Sequence, residues 1–202
     1  MKLQVKVCGM KDDQNISELI KLPIDYIGFI FYDQSPRHVY KIPLVQIPAS
    51  IKKVGVFVND TVNNIRKKLD EGLHVIQLHG AETPEFCKEI QDLGVPVIKA
   101  FGIHEEFNWA TLENYVSHVD YFLFDTRGKQ HGGTGQTFNW QVLKGYKLHI
   151  PYFLSGGLSK QNIKAASLIG DKRLIGLDLN SKFELKPGLK NINELQNALN
   201  LL

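Results

Sequence analysis

Eight short runs rich in Val, Ile, Phe and Tyr recur along the chain, at residues 4–8, 26–31, 54–58, 75–78, 95–100, 121–125, 152–155 and 175–179. They begin roughly 20–30 residues apart, the length a strand needs if a crossover helix is to return the chain to the next parallel strand. Helical patterns lie between them. Val62, Ile65 and Leu69 form an i, i+3, i+7 stripe, as do Ile192, Leu195 and Leu199. Thr83-Pro84-Glu85 supplies a capping residue, then proline at the first helical position, then an acid in the first turn. Ser159 is expected to cap the helix carrying Ile163, Ala166 and Ile169. Residues 41–50, interrupted by Pro43 and Pro48, are the weakest helix and are expected to be short or irregular.

Strands and helices that alternate in this way, with no linker or low-complexity segment, predict an α/β chain folded as one (β/α)8 TIM barrel, a single domain over residues 1–202. An open doubly wound sheet would want fewer strands and a phosphate loop after the first. Here the first run ends in Cys8-Gly9-Met10-Lys11, which is no dinucleotide fingerprint.

Composition narrows the partners. The chain has 24 basic and 21 acidic residues, a net charge of only +3, and clusters such as Arg66-Lys67-Lys68 fall on solvated helical faces. Nucleic acid is therefore not an expected partner. The segment Met1-Lys2-Leu3-Gln4-Val5-Lys6 is too polar for a signal peptide, and no apolar run approaches the ~18 residues needed to span a bilayer. No membrane partner and a cytoplasmic location are expected. Cys8 and Cys87 make no disulfide framework and no metal-ligand spacing surrounds either, so no metal is expected.

Chemistry concentrates at strand ends. Side chains alternate along a strand, so Lys6 and Cys8 share one face and Val5 and Val7 the other. With the valines toward the helices, Cys8 points into the barrel at its rim and Lys6 lies one layer below. The plain reading of Cys8 is a small buried hydrophobe. A neighbouring ammonium supports a functional one, because it lowers a thiol's pKa from about 8.5 and increases the thiolate fraction. Cys87, beside Phe86 and Ile90 on a helical face, reads as core packing. Asp125 shares its face with Leu123 and ends an apolar strand just before the glycine-rich stretch Gly132-Gly133-Thr134-Gly135. An acid at a strand's C-terminal end under a permissive loop is how barrel enzymes present a catalytic group. Asp178 is a further inward carboxylate. Gln77 and His79 share a face of the fourth strand, with His79 at the rim as an orienting group.

The late loops suggest an anion site. Barrels commonly bind phosphate through backbone N–H groups after strands seven and eight, and here Gly156-Gly157 and Asn180-Ser181 occupy those positions. Arg37 follows strand two, stiffened by Pro36, where a guanidinium can take a carboxylate bidentately.

In order, Lys6-Val7-Cys8-Gly9, Gly28-Phe29-Ile30-Phe31 with Ser35-Pro36-Arg37, Gln77-Leu78-His79-Gly80, Asp125-Thr126, Ser155-Gly156-Gly157-Leu158 and Gly176-Leu177-Asp178 resemble the phosphoribosylanthranilate isomerases of tryptophan biosynthesis. The resemblance implies an Amadori rearrangement of N-(5-phosphoribosyl)anthranilate to 1-(2-carboxyphenylamino)-1-deoxyribulose 5-phosphate, a phosphosugar substrate handled without cofactor or metal. It implies Asp125 as general acid on the ring oxygen and Cys8 as general base at C2. It implies Arg37 on the anthranilate carboxylate, and Gly156, Gly157, Asn180 and Ser181 on the phosphate. Gln77, His79 and Asp178 complete the expected substrate-binding set, and a monomer or weak homodimer is the expected assembly. The chain departs from the family after strand eight, where two small hydroxyl residues and glycine are usual and Asn180-Ser181-Lys182 stands. It also has Asn191 where aspartate often follows the lysine, and asparagine still caps a helix. The analogous aminoaldose isomerase of histidine biosynthesis uses two aspartates, which the cysteine at the first strand's end argues against. A non-catalytic phosphosugar-binding barrel would need neither Cys8 nor Asp125.

Overall fold

The computed structural model describes residues 2–125 and 140–202. The stretch with Arg127 and Gly132 to Gly135 lies outside the described residues, so the glycine-rich loop expected after Asp125 is not part of the structural account. Eight parallel strands close into a barrel: β1 (Gln4–Cys8), β2 (Tyr26–Ile30), β3 (Lys52–Phe57), β4 (Val75–Leu78), β5 (Val97–Gly102), β6 (Tyr121–Asp125), β7 (Tyr152–Ser155) and β8 (Leu174–Leu179). The ring is sealed where β1 pairs with β8, Lys6 opposite Asp178. Every run expected from the sequence is a strand, because parallel strands covered on both faces must be apolar almost throughout.

The alternation of each strand feeds two cores. Tyr26, Val54, Val75, Ile98, Leu123 and Phe153 form one cluster, inside the barrel. Val5, Val7, Phe29, Phe122 and Phe124 belong to the larger cluster between strands and helices. Each fully buried large apolar side chain contributes roughly 1.5–3 kcal/mol, so the two layers fix the strand faces. That leaves the inward residues at the C-terminal strand ends as the polar ones. Cys87 is buried in the outer layer, as expected.

Among the described residues five α-helices flank the strands: α1 (Asp13–Leu19), α2 (Val62–Asp70), α3 (Pro84–Gln91), α4 (Ile163–Ser167) and α5 (Ile192–Leu199). Thr83 Oγ1 accepts from the Phe86 N–H at 3.3 Å with Pro84 in the first turn, and Asn191 Oδ1 accepts from the Glu194 N–H at 3.1 Å. Both caps follow the sequence reading. The capping role expected of Ser159 is not found. Its N–H donates to Asn162 Oδ1 at 2.8 Å, and α4 starts only at Ile163, because the Asn162 side chain competes for the backbone and inserts a turn first. Residues 41–50 form no helix, since Pro43 and Pro48 remove donors and bias the residues before them away from helical backbone. Between β5 and β6 the chain makes only a 3-10 helix, Trp109–Tyr115, and a second, Trp140–Gly145, precedes β7. After β8 a short antiparallel hairpin, β9 (Glu184–Lys186) and β10 (Leu189–Lys190), was not anticipated. Among the described residues no helix is long and apolar enough to cross a membrane.

Candidate active site at the C-terminal barrel mouth

Cys8 and Asp125 are the last residues of β1 and β6, separated in the ring by β7 and β8 one way and by four strands the other. They therefore stand on different sides of the same mouth. Cys8 is 3 % and Asp125 7 % exposed, so each is screened from water yet at the rim.

The thiol sits in a pocket cut for it. Gly28 is its register partner on β2, and a Cβ there would fall 2.7 Å from Cys8 Sγ. Beneath it Lys6 Nζ donates to Asp178 Oδ1 at 2.9 Å, and Ser155 Oγ donates to Asp178 Oδ2 at 3.3 Å. The effect expected from Lys6 is present but does not prevail. Burial pushes the Cys8 thiol up from its ordinary 9.0, the Lys6 and Lys190 ammonium groups pull it down, and the Asp178 carboxylate adds to the upward side. A charge already shared with a buried carboxylate has less to give a thiolate.

On the opposite side, Gln77 Nε2 and His79 Nδ1 are 2.9 Å apart, and His79 Nε2 stands 3.7 Å from Asp125 Oδ2. With the amide nitrogen as donor, Nδ1 is the acceptor and Nε2 carries the proton toward the carboxylate. Gln77 is buried while the His79 side chain is 29 % exposed. Gln77 Oε1 is buried without a hydrogen-bond partner among the described residues.

Arg37 lies at the mouth, as expected, with its side-chain stem against Gly9: a Cβ on that residue would come 2.6 Å from Arg37 Cδ. Its guanidinium is already engaged. Nε donates to Glu184 Oε1 and Oε2 at 2.9 and 3.1 Å, and Nη2 donates to Oε2 at 2.5 Å. Glu184 also accepts from Lys190 Nζ at 2.7 Å and from the Gly188 N–H at 3.0 Å. Burial works to raise the Glu184 carboxyl, but the hydrogen bonds and charges of Arg37 and Lys190 overturn this and hold it at about 2. Glu184 and Lys190 are the site's unpredicted members. The turn pair Pro187-Gly188 between residues of opposite charge was the available signal for a hairpin that joins them.

The loops after β7 and β8 carry the residues expected to hold an anion. Gly156 and Gly157 have φ of +90° and +66°, which turns the backbone after β7 into a conformation side chains resist. A Cβ at Gly157 meets nothing within 4 Å. The backbone, and not crowding by protein atoms, explains that glycine. Asn180 departs from a simple donor role, because its Oδ1 accepts from Lys190 Nζ at 2.8 Å. Ser181 opens a 3-10 turn and is exposed. Asp178, buried under Cys8 with two partners, belongs to the floor of the site and not to its lining.

The family model described as N-(5'phosphoribosyl)anthranilate (PRA) isomerase matches residues 5–200. An N-(5'-phosphoribosyl)anthranilate isomerase of Parabacteroides distasonis is 45 % identical, covering 96 % of this chain and 91 % of that protein. One from Phocaeicola vulgatus is 41 % identical, covering 98 % and 97 %. Among solved structures, the phosphoribosyl anthranilate isomerase of Thermotoga maritima superposes with a TM-score of 0.80 at 27 % identity, covering 99 % of this chain and 98 % of that one. A phosphoribosyl anthranilate isomerase in complex with reduced 1-(o-carboxyphenylamino)-1-deoxyribulose 5-phosphate gives 0.79 at 27 % identity, covering 98 % and 97 %. Sequence and fold agree over nearly the whole length, and this chain belongs to the N-(5'-phosphoribosyl)anthranilate isomerase family.

Proposed function

We propose that this chain isomerises N-(5'-phosphoribosyl)anthranilate to the aminoketose 1-(2-carboxyphenylamino)-1-deoxyribulose 5-phosphate in tryptophan biosynthesis, with Asp125 as general acid and Cys8 as general base. The observation that carries the reading is an acid and a thiol at the ends of β6 and β1, on different sides of one mouth. The rearrangement asks for such a pair: Asp125 gives its proton to the furanose ring oxygen, the C1–O bond breaks, and a protonated Schiff base forms. Cys8 then takes the C2 proton, and the resulting enaminol becomes the ketone by gaining a proton at C1 and releasing the one on its C2 hydroxyl. Proximity of both groups to one bound sugar replaces two bimolecular encounters.

The electrostatics suit the second step. Burial disfavours a resting thiolate, while Lys6 and Lys190 favour it. The positive charge of the Schiff base adds to the favourable side only when substrate is present. Arg37 takes the anthranilate carboxylate and the loops at Gly156, Gly157, Asn180 and Ser181 take the phosphate, with Gln77 and His79 orienting groups around Asp125.

Residues 1–202 act as one catalytic domain in this reading, and because every residue invoked comes from one chain, a monomer or weak homodimer suffices. A free-thiol base needs a reducing compartment, and both cysteines are free, which favours the cytoplasm. The deciding experiment generates phosphoribosylanthranilate in situ and follows its fluorescence. Consumption should rise in proportion to added protein, with the aminoketose as product; consumption no faster than spontaneous decay would end the proposal.

A further inference from the structure

Glu184 lies on β9 with its side chain only 4 % exposed, and it is held by Arg37, Lys190 and the Gly188 N–H. A carboxylate fixed by so many donors is an anchor and does not swing. It grips Arg37 along one edge of the guanidinium, Nε and Nη2. A guanidinium has a second bidentate edge, Nη1 with the remaining Nη2 hydrogen. Among the described residues no acceptor sits on Nη1, and the Arg37 side chain keeps 19 % of its surface exposed. One carboxylate between two cations, Arg37 and Lys190, leaves the trio one positive charge in excess, which a single further carboxylate neutralises.

We propose that Glu184 is the positioning residue for the substrate's carboxylate: it holds Arg37 by the inner edge of its fork so that the outer edge receives the anthranilate group, and both carboxylates are bound at once. The inference deepens the isomerase reading above and rests on it. It differs from displacement, in which the incoming carboxylate would evict Glu184. The two make opposite predictions, because removing a competitor tightens binding and removing an anchor loosens it. Lys190 extends the frame, since the ammonium that holds Glu184 also holds Asn180 in the loop after β8.

The test compares two probes by calorimetric titration: reduced 1-(o-carboxyphenylamino)-1-deoxyribulose 5-phosphate, and ribulose 5-phosphate, which lacks the carboxyphenyl ring. Glu184→Gln keeps the size and some hydrogen bonding but loses the charge. It should weaken the ring-bearing probe about tenfold, the scale of one charge-assisted contact, while ribulose 5-phosphate changes less than about twofold. In turnover, KM should rise with kcat nearly unchanged. Should Glu184→Gln fold poorly, Arg37→Lys keeps the cation without a second edge and should show the same selective loss. Equal losses on both probes, unchanged affinity, or tighter binding of the ring-bearing probe would overturn the proposal. Wild-type protein that neither binds that probe nor consumes phosphoribosylanthranilate would instead overturn the isomerase reading beneath it.

Discussion

Lys6 and Asp178 face each other in register across the β1–β8 seam, with Nζ 2.9 Å from Oδ1 and both side chains buried under the Cys8 thiol. The pair closes the barrel electrostatically where the first and last strands close it by hydrogen bonds. Removing one member of a buried pair strands the other charge, at a cost of about 3–5 kcal/mol, whereas replacing both by apolar groups is often neutral. Lys6→Met should therefore destabilise on that scale in urea unfolding, and Lys6→Met with Asp178→Leu should recover most of the loss. Burial works to lower the Lys6 pKa, but Asp178 and Cys8 together overturn this and raise it above 10.5. The pair's contribution is thus fully present below pH 10.5 and fades as pH rises through the higher folded value. A single Lys6→Met variant as stable as wild type at neutral pH would show that the pair contributes nothing.

Cys8→Ala should fold normally and lose at least about 10²-fold in kcat, the scale of a general base. The raised thiol pKa gives a second signature. Alkylation by iodoacetamide should be slow at neutral pH and accelerate above pH 9.0. Cys8, at the barrel mouth, should react before Cys87, which is wholly buried in the outer core. Peptide mass spectrometry assigns the modified residue, and bound product analogue should protect it. Inactivation by a label on Cys87 alone, or an alanine variant keeping more than about a tenth of kcat, would remove Cys8 from the base role.

Asp125→Asn keeps shape and hydrogen-bonding reach but has no acid proton to deliver. Its kcat should fall on the same scale as that of Cys8→Ala, with substrate affinity little changed. His79→Ala leaves the acid in place and removes the group 3.7 Å from it, so a smaller loss is expected, about tenfold in kcat. Steady-state kinetics of both variants separate the roles: intact kcat with a strongly raised KM in Asp125→Asn would make Asp125 a binding residue.

The strands were readable because their burial on both faces writes itself as near-continuous apolar runs, and the inward pattern of Lys6, Cys8 and Asp125 followed from period-two alternation. What escaped the sequence was pairing at long range. Arg37 and Glu184 are 147 residues apart and Lys6 and Asp178 are 172 apart, so no local pattern records that these charges meet. The same blindness reversed the expected sign at Cys8, since the weight of Lys6 depends on burial and on Asp178. Local competition explains the other misses. The Asn162 side chain takes the Ser159 N–H and delays α4. The 3-10 helix between β5 and β6 is held by tertiary packing, with Trp109 against Phe124 and Tyr146 at 5.4 and 5.7 Å.

Gly157 offers the sharpest test of the anion loops. Its φ of +66° lies in the left-handed region, and the space around a Cβ there is open, so a side chain would be resisted by the backbone itself. That resistance costs roughly 1–2 kcal/mol for an ordinary L-residue and more for a β-branched one. Gly157→Val should shift the loop after β7, raise KM for substrate and weaken inorganic phosphate as a competitive inhibitor, with kcat less affected. Lys182 is exposed on the loop after β8, where a solvated cation adds only about 1 kcal/mol or less to a charge pair. Lys182→Ala should change phosphate inhibition much less than Gly157→Val does. If Lys182→Ala abolished phosphate inhibition while Gly157→Val left it untouched, the anion would be held by a side-chain cation and the backbone account of this loop would fall.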